Sequence, residues 1–512
     1  MKKELALVVT LTLLGGLTTE AKTINYPNTK LPMSTNMPIG SIYYDYLDKL
    51  DGMGYLKSML YGTRPYARVD MARWTLEARE KSKTKATPAY LESMIRELEQ
   101  ALAPEIDSIL HNGKGNKMKL HSISAEAVTA DYAKNSYGYK GLPGSSWQPF
   151  NTNNNGRNYG NGLNLNASAY LSGNLSREVA YSLSPRVGYD WNNHFKAALD
   201  EGYLATRVGI YKVEAGKQAL DWGQGVTGKM ALSNNMRPLT MLKVSSEEMP
   251  AFHGVLSILG KTRWTGFISK AAGNRTEHGV KDFDNPYIVG VRSEMLYPNL
   301  AIGMERISLL GGTGNAFRFS DTWDWLRGKN ADHDDKWDDI AGVDVKYRFP
   351  GMQIYGELYG EDQANYLPSD IGYRGGLYFP RLSRDGKWDL RTEIVNTNTG
   401  WYSHSPYRVG WTYHSNIMGD AMGGDARKYY MGVQHYLTAK DTIGLNGLYQ
   451  KMAILGSIKP TVKEGWVSYR HKMNEADTWS VLFGLAALND LNYENGRSHT
   501  DKFVRLVWER RY

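Results

Sequence analysis

The chain contains no cysteine, so neither a disulfide framework nor lipidation through Cys is available, and stability must come from packing and strand pairing. It has no long apolar run after its first residues, and its mean hydropathy is −0.50. A helical membrane protein, which needs about 20 consecutive apolar residues per crossing, is therefore excluded. Catalytic signatures are missing as well: there is no G-x-S-x-G, no H-E-x-x-H and no zinc-spaced histidine set. The 11 histidines, among them His253, His278, His404, His414 and His435, are scattered without metal-ligand spacing. The expectation is a protein with no catalytic residue, no metal and no cofactor. Only a Ser/His pairing assembled by the fold would escape this search.

What is present begins with Lys2-Lys3 and an apolar stretch over residues 5–17, followed by the small-x-small site Thr19-Glu20-Ala21. Residues 1–21 are expected to be a signal peptide, with Lys22 opening the mature chain. Thr10, Thr12, Gly15 and Gly16 break the stretch too often for an uncleaved anchor. The net charge of +8 is unaltered by that removal, since Lys2 and Lys3 are balanced by Glu4 and Glu20. A basic exported chain suits anionic partners, although a scattered solvated surface has the same composition.

The chain is rich in Tyr (35), Trp (14) and Gly (53) for a soluble enzyme. A wet-centred barrel has this composition, because half of each strand faces water while aromatics gather at the two membrane edges and Gly at turns and bulges.

Periodicity divides the chain in two. Between Ile42 and Gly113 it is helical: Ile42, Tyr46, Leu47 and Leu50 share one stripe, Val69, Ala72 and Leu76 a second, and Leu91, Met94, Ile95, Leu98 and Leu102 a third. Thr87 is the expected N-cap of the third helix, with Pro88 at its first position. Residues 22–115 are thus read as a helical bundle, too small to bury much by itself.

From residue 116 to 512 the period is two. Leu163, Leu165, Ala167, Ala169 and Leu171 alternate with Asn164, Asn166, Ser168, Tyr170 and Ser172, and Val179, Tyr181 and Leu183 repeat the pattern. At the end of the chain Val504, Leu506, Trp508 and Tyr512 share one face, interrupted by Arg510. A soluble sandwich strand alternates too. Export, the absent cysteines and enough chain for roughly 16 to 20 strands favour a large antiparallel transmembrane β-barrel. Asn151–Asn158 reads as turn chemistry, and Asp332–Asp339 as an acidic surface loop lacking the Gly and terminal Glu of a calcium hand.

Several segments, in order, resemble one family. They are Tyr44-Asp45-Tyr46-Leu47 with Gly62-Thr63-Arg64-Pro65-Tyr66-Ala67-Arg68; Trp222-Gly223-Gln224-Gly225; Leu232-Ser233-Asn234-Asn235-Met236-Arg237-Pro238; Phe319 to Asp324; Tyr355-Gly356-Glu357; and Trp401-Tyr402-Ser403-His404-Ser405 through Gly424-Asp425-Ala426-Arg427. The chain thereby resembles the outer-membrane capsule-assembly protein Wzi family. Ala67, Gln224 and Met236 depart from the family pattern, which has Ser, Pro and Ala there.

The resemblance implies a barrel of about 18 strands in the outer membrane over a periplasmic helical bundle. It also implies lectin-like retention of capsular or extracellular polysaccharide at the cell surface. Expected partners are that polymer and outer-membrane lipid including lipopolysaccharide, with no nucleic acid, the protein acting as a monomer. Candidate polymer contacts are Trp323, Trp325, Trp337, Trp401, Tyr402 and Arg427, since sugar rings stack on aromatic faces and Arg pairs with acidic sugars. Each aromatic, like Trp388, equally fits a membrane girdle or barrel packing, and Arg427 with Asp425 an internal ion pair. Asn234, Asn235 and Arg237 fit either a held polar turn or a sugar-facing edge. A porin or channel of similar strand number is the alternative function.

Overall fold

Outward apolar residues alternating with inward polar ones close on themselves as a single sheet. The computed structural model describes residues 31–512 apart from 58, 60, 61, 135, 140, 191–193, 247–253, 272–274, 278, 279, 328–335, 362, 365, 366 and 405. The signal-peptide expectation, Asp332 to Asp335, His253, His278 and Ser405 lie outside the described residues.

Helices α1 (Ile42–Gly52), α2 (Arg68–Lys83), α3 (Ala89–Ala101) and α4 (Ala103–His111) come first. Eighteen strands of one closed barrel follow. They are β1 (Lys119–Asp131), β2 (Gly162–Ser176), β3 (Val179–Asp190), β4 (His194–Val208), β5 (Tyr211–Gln218) and β6 (Leu239–Ser246). Next are β7 (Lys261–Lys270), β8 (Tyr287–Leu296), β9 (Leu300–Leu310), β10 (Trp337–Phe349), β11 (Met352–Gly360) and β12 (Ile371–Phe379). The last six are β13 (Trp388–Asn396), β14 (Arg427–Tyr436), β15 (Asp441–Lys451), β16 (Thr461–Lys472), β17 (Asp477–Asn489) and β18 (Ser498–Arg511). A short helix, α5 (Asp321–Leu326), sits between β9 and β10.

Each strand pairs antiparallel with its neighbour in sequence, and β18 pairs back onto β1 from Ser122↔Arg511 to Asp131↔Lys502. Closure leaves the sheet without an edge, which is what lets strands cross a bilayer. Leu163, Leu165, Leu183, Val504 and Leu506 are exposed on the outer face while Asn164 and Ser172 are buried inside, as the alternation requires.

One end carries the helices and mostly short turns, such as residues 209–210 between β4 and β5. The other carries the long connections 132–161, 219–238, 311–336 and 397–426. Ser41 caps α1, its side chain accepting from the Tyr43 N–H. The third helix starts one residue later than its sequence signal: Pro88, not Thr87, is the N-cap, and the Thr87 hydroxyl is engaged by Tyr55 at 3.0 Å instead. Leu47, Leu50, Leu91, Ile95, Leu98 and Leu102 are completely buried together, and Trp74 joins them.

The bundle docks on the barrel through charge. Lys49 donates to the carbonyls of Pro380 (2.6 Å) and Gly386 (2.8 Å) in the β12–β13 turn and pairs with Asp389 at 3.1 Å. Asp70 pairs with Arg263 at 2.8 Å, and Glu97 with Arg511 at 2.7 Å. The segment read as an acidic loop is partly strand, since Trp337, Asp338 and Asp339 begin β10 and are buried; Asp339 accepts from Arg306 and Ser308.

Candidate functional site

The lumen is filled by two of the long connections, and buried charge holds them there. Residues 219–238 turn inward after β5. The N–H groups of Gln224 and Gly225 donate to Glu357 Oε1 on β11, both at 2.6 Å, and Met230 N–H donates to Glu357 Oε2 at 2.9 Å. Glu393 on β13 accepts from the N–H groups of Val226 (2.6 Å) and Thr227 (3.1 Å). Two strand carboxylates thus satisfy five backbone donors in the stretch 224–230, which is outside any strand, and this is how irregular backbone is tolerated inside a barrel.

Arg374 on β12 joins the carboxylates, contacting Glu357 at 3.5 Å, Glu393 at 2.8 Å and Asp420, every one of them fully buried. Lys428 completes the set at 2.6 Å from Asp420. Burial raises the Asp420 carboxyl, but Lys428 and Arg374 outweigh it and hold it below the usual carboxylate range. A second buried cation, Arg292 on β8, is surrounded by Glu294 (3.2 Å), Glu305 (2.9 Å) and Asp344 (2.6 Å). Gln224 reaches Asp344 at 2.5 Å, linking the first loop to this cluster too.

The second connection, residues 397–426, packs against the first. Tyr402 donates to the Met230 carbonyl at 2.5 Å and accepts from the Asp420 N–H at 2.7 Å, and Trp411 donates to the Ala231 carbonyl at 2.9 Å. Gly419 permits this approach, because a Cβ there would lie 2.3 Å from the Tyr402 hydroxyl. The Asn-rich segment grips the same region: Asn155 N–H donates to the Asn234 carbonyl at 2.7 Å, and Asn234 Nδ2 returns a bond to the Asn153 carbonyl at 2.8 Å. Asn234 and Asn235 are buried in a held turn while Arg237 is exposed. The helical motif belongs to this assembly as well, Thr63 pairing with Trp222 and Arg64 with Asp221.

The sequence candidates separate into three places. Trp401 and Tyr402 are completely buried in the plug. Trp325 and Trp337 are buried together under the β9–β10 connection; Trp325 Nε1 donates to Ser308 at 2.8 Å, and the Arg306 guanidinium lies 5.1 Å from its ring centroid. Trp323, on α5, is 61% exposed, with Arg327 5.4 Å from its ring and Phe319, 85% exposed, four residues earlier. Arg427 is on the outer face of β14 and makes no ion pair with Asp425 among the described residues; its Nε donates to Asn396 at 3.1 Å. Trp388 is exposed at the helix-bearing end, stacked on His435 with centroids 3.9 Å apart. His404 is half-buried with its ring 6.0 Å from that of Tyr407.

The plug ions Arg374, Glu393 and Asp420 were not singled out from sequence. For Arg374 and Glu393 the one signal there is a charged residue at an inward strand position, as in Tyr373-Arg374-Gly375; Asp420 lies in a connection and has none.

Comparison with known proteins agrees with this architecture. A solved structure of Wzi from Escherichia coli, described as an outer-membrane, carbohydrate-binding β-barrel involved in group 1 capsule assembly, superposes with a TM-score of 0.65 at 18% identity, covering 94% of this chain and 99% of that one. An uncharacterized 55.8 kDa protein in the cps region of Klebsiella pneumoniae is 25% identical over 226 residues, 41% of this chain; the match spans 43% of that relative's length. The barrel lies in the outer membrane with the helical bundle on the periplasmic side. A family model described as capsule assembly protein Wzi matches residues 134–502, and with that share of the sequence matched the chain belongs to the Wzi capsule-assembly family.

Proposed function

We propose that this protein is a non-enzymatic lectin that retains capsular or extracellular polysaccharide at the cell surface. The observation that carries the reading is an exposed aromatic ledge over a filled lumen, with Arg327 paired to Asp324 beside it. Phe319 and Trp323 stand exposed on the β9–β10 connection, at the end opposite the helices, with Arg327 beside the Trp323 ring. Sugar rings pack on such faces through C–H contacts, and a guanidinium pairs with acidic sugars. Each contact is weak, but a polymer offers the same unit many times, so binding accumulates as avidity. Trp325 and Trp337 support the ledge from beneath, while Trp401 and Tyr402 act at a distance by holding the plug.

The channel alternative is disfavoured by that plug, which the adjoining Arg292 and Arg374 clusters hold against the wall strands β8 to β14.

The test is deletion of the gene in its native host, with complementation by the intact gene and measurement of cell-bound against released polysaccharide. Polymer still made but shifted into the medium supports retention. An unchanged distribution removes the lectin reading.

A further inference from the structure

The strands β14 to β18 carry a group of cations that the plug and the ledge do not use. Arg427 and Lys451 are direct cross-strand partners. Both belong to the outward set, shown by Tyr429 and Met431 on β14 and Ile443 and Leu445 on β15, all exposed. Lys451 partners Thr461, and Lys463, also outward and exposed, lies two residues further from the rim, opposite Tyr449. Lys459 is exposed in the connection just above. Across β17, Ala487 partners both Lys463 and Thr500, and Lys502 again lies two residues further down.

This drift follows the tilt of the barrel. At the other edge Tyr469 partners Val481, while Trp479, two residues nearer the helices, partners Trp508. The aromatic edge shifts in the same sense as the cations, so Arg427, Lys451, Lys463 and Lys502 share one level at the rim of the apolar band.

Two like charges placed directly opposite on neighbouring strands repel. Among the described residues the side chains of Lys451, Lys459 and Lys463 make no hydrogen bond or ion pair, and that of Arg427 has only the neutral Asn396. The acids nearby are occupied or single: Asp425 accepts from the Leu455 N–H at 3.3 Å, and Asp131 sits 3.5 Å from Lys502. Immediately below lie Tyr429 and Tyr449, stacked with centroids 6.2 Å apart, and then exposed Met431, Leu445, Phe483 and Leu485. Cations above a flat aromatic pair above an apolar wall match an amphiphile with phosphates on a sugar headgroup and several acyl chains.

We propose that Arg427, Lys451 and Lys463, with Lys502 at the margin, form a binding site for a phosphorylated glycolipid of the outer leaflet. A bound phosphate relieves the Arg427–Lys451 repulsion, the tyrosines lie under the sugars, and the outward side chains of β15 and β17 pack the acyl chains. A soluble acidic polymer is the rival occupant. It is disfavoured because these side chains rise from the lipid-facing set of strand residues, whereas a polymer above the cell meets the loop ledge first.

The experiment uses the full chain, purified and delipidated in neutral detergent, titrated with bisphosphorylated lipid A, with enzymatically dephosphorylated lipid A and with polygalacturonate. The Arg427→Gln/Lys451→Gln/Lys463→Gln variant is compared with a Lys81→Gln/Lys440→Gln control on the periplasmic side. The wild type and the control should bind the bisphosphorylated form at least tenfold more tightly than the dephosphorylated form, with affinity falling as salt rises, and the triple variant should lose that preference. If the triple variant fails to fold, judged by heat-dependent gel mobility, Lys451→Gln and Lys463→Gln alone should each weaken binding about threefold. Three results overturn the site: wild-type binding indifferent to phosphate, variant affinities within twofold of wild type, or loss of polygalacturonate binding with lipid A binding kept, which would reassign the cations to the polymer.

Discussion

The hydroxyl of Tyr402 and the carbonyl of Met230 meet at 2.5 Å across 172 residues of sequence, joining the two connections that fill the barrel. Since the same hydroxyl accepts from the Asp420 N–H, Tyr402→Phe leaves two buried backbone groups unsatisfied at once. We expect a loss of about 2 kcal/mol, seen as a lower transition temperature in heat-dependent gel mobility, with the barrel still formed.

Arg374 is the single guanidinium among Glu357, Glu393 and Asp420. Its replacement by Met strands carboxylates that also hold the loop backbone, at a cost of about 3–5 kcal/mol. Release of the loop should open a conducting path. Planar-bilayer traces are expected to show negligible conductance for the wild type and discrete openings for Arg374→Met; equal traces would mean that the plug is held without this cluster.

Docking of the periplasmic bundle should depend on pH through Asp51. Burial raises its carboxyl to about 6, against the pull of Arg348 and Lys346. The folded protein therefore keeps a proton that the unfolded chain has lost, and this group stabilises docking at low pH and loses that contribution as pH rises from about 4 through 6. Asp48 works in the opposite sense, held down to about 2 because Arg64, Lys346 and Arg391 together outweigh its burial, so its contribution persists until pH falls towards 2. Between pH 4.5 and 7 Asp48 stays charged, and the Asp51 share is read as the difference between the wild type and Asp51→Asn. Limited proteolysis of the bundle should be slower at pH 4.5 for the wild type, relative to an unfolded control substrate, and that difference should narrow in Asp51→Asn.

On the proposed lectin reading, Phe319→Ala/Trp323→Ala removes the exposed ring faces while leaving the buried Trp325 and Trp337 in place. Thermal stability should change by less than about 0.5 kcal/mol, as for exposed positions generally. Cell-bound polymer should fall severalfold while total polymer stays constant. Retention at the wild-type level in this variant would move the contact away from α5.

Much of this molecule can be read from short windows of the chain. The alternation of Leu163 to Leu171, the stripe of Leu91 to Leu102 and the outward face of Val504, Leu506 and Trp508 all rest on local periodicity, because a bilayer and a core impose their polarity residue by residue. Turn chemistry at Asn151–Asn158 was legible for the same reason. The helix start at Pro88 was missed by one residue, because Thr87 offers the right side chain but spends it on Tyr55. The acidic run was misjudged at its end, where Asp338 and Asp339 are drawn into β10 by pairing with Leu309 and Ser308.

The sequence by itself determined the class of structure, helices followed by an edgeless antiparallel sheet, and the ordered motifs that mark its family. Only the tertiary structure decided what those motifs do: that Trp401 and Tyr402 are buried in a plug, that Trp323 is exposed, and that Arg427 faces outward beside Lys451. The reason is the range of the interactions. Strand polarity is set by neighbours two residues away, but the partners of Arg374 and Tyr402 lie tens to hundreds of residues distant, and no local pattern encodes which buried carboxylate a closed barrel will bring to which loop.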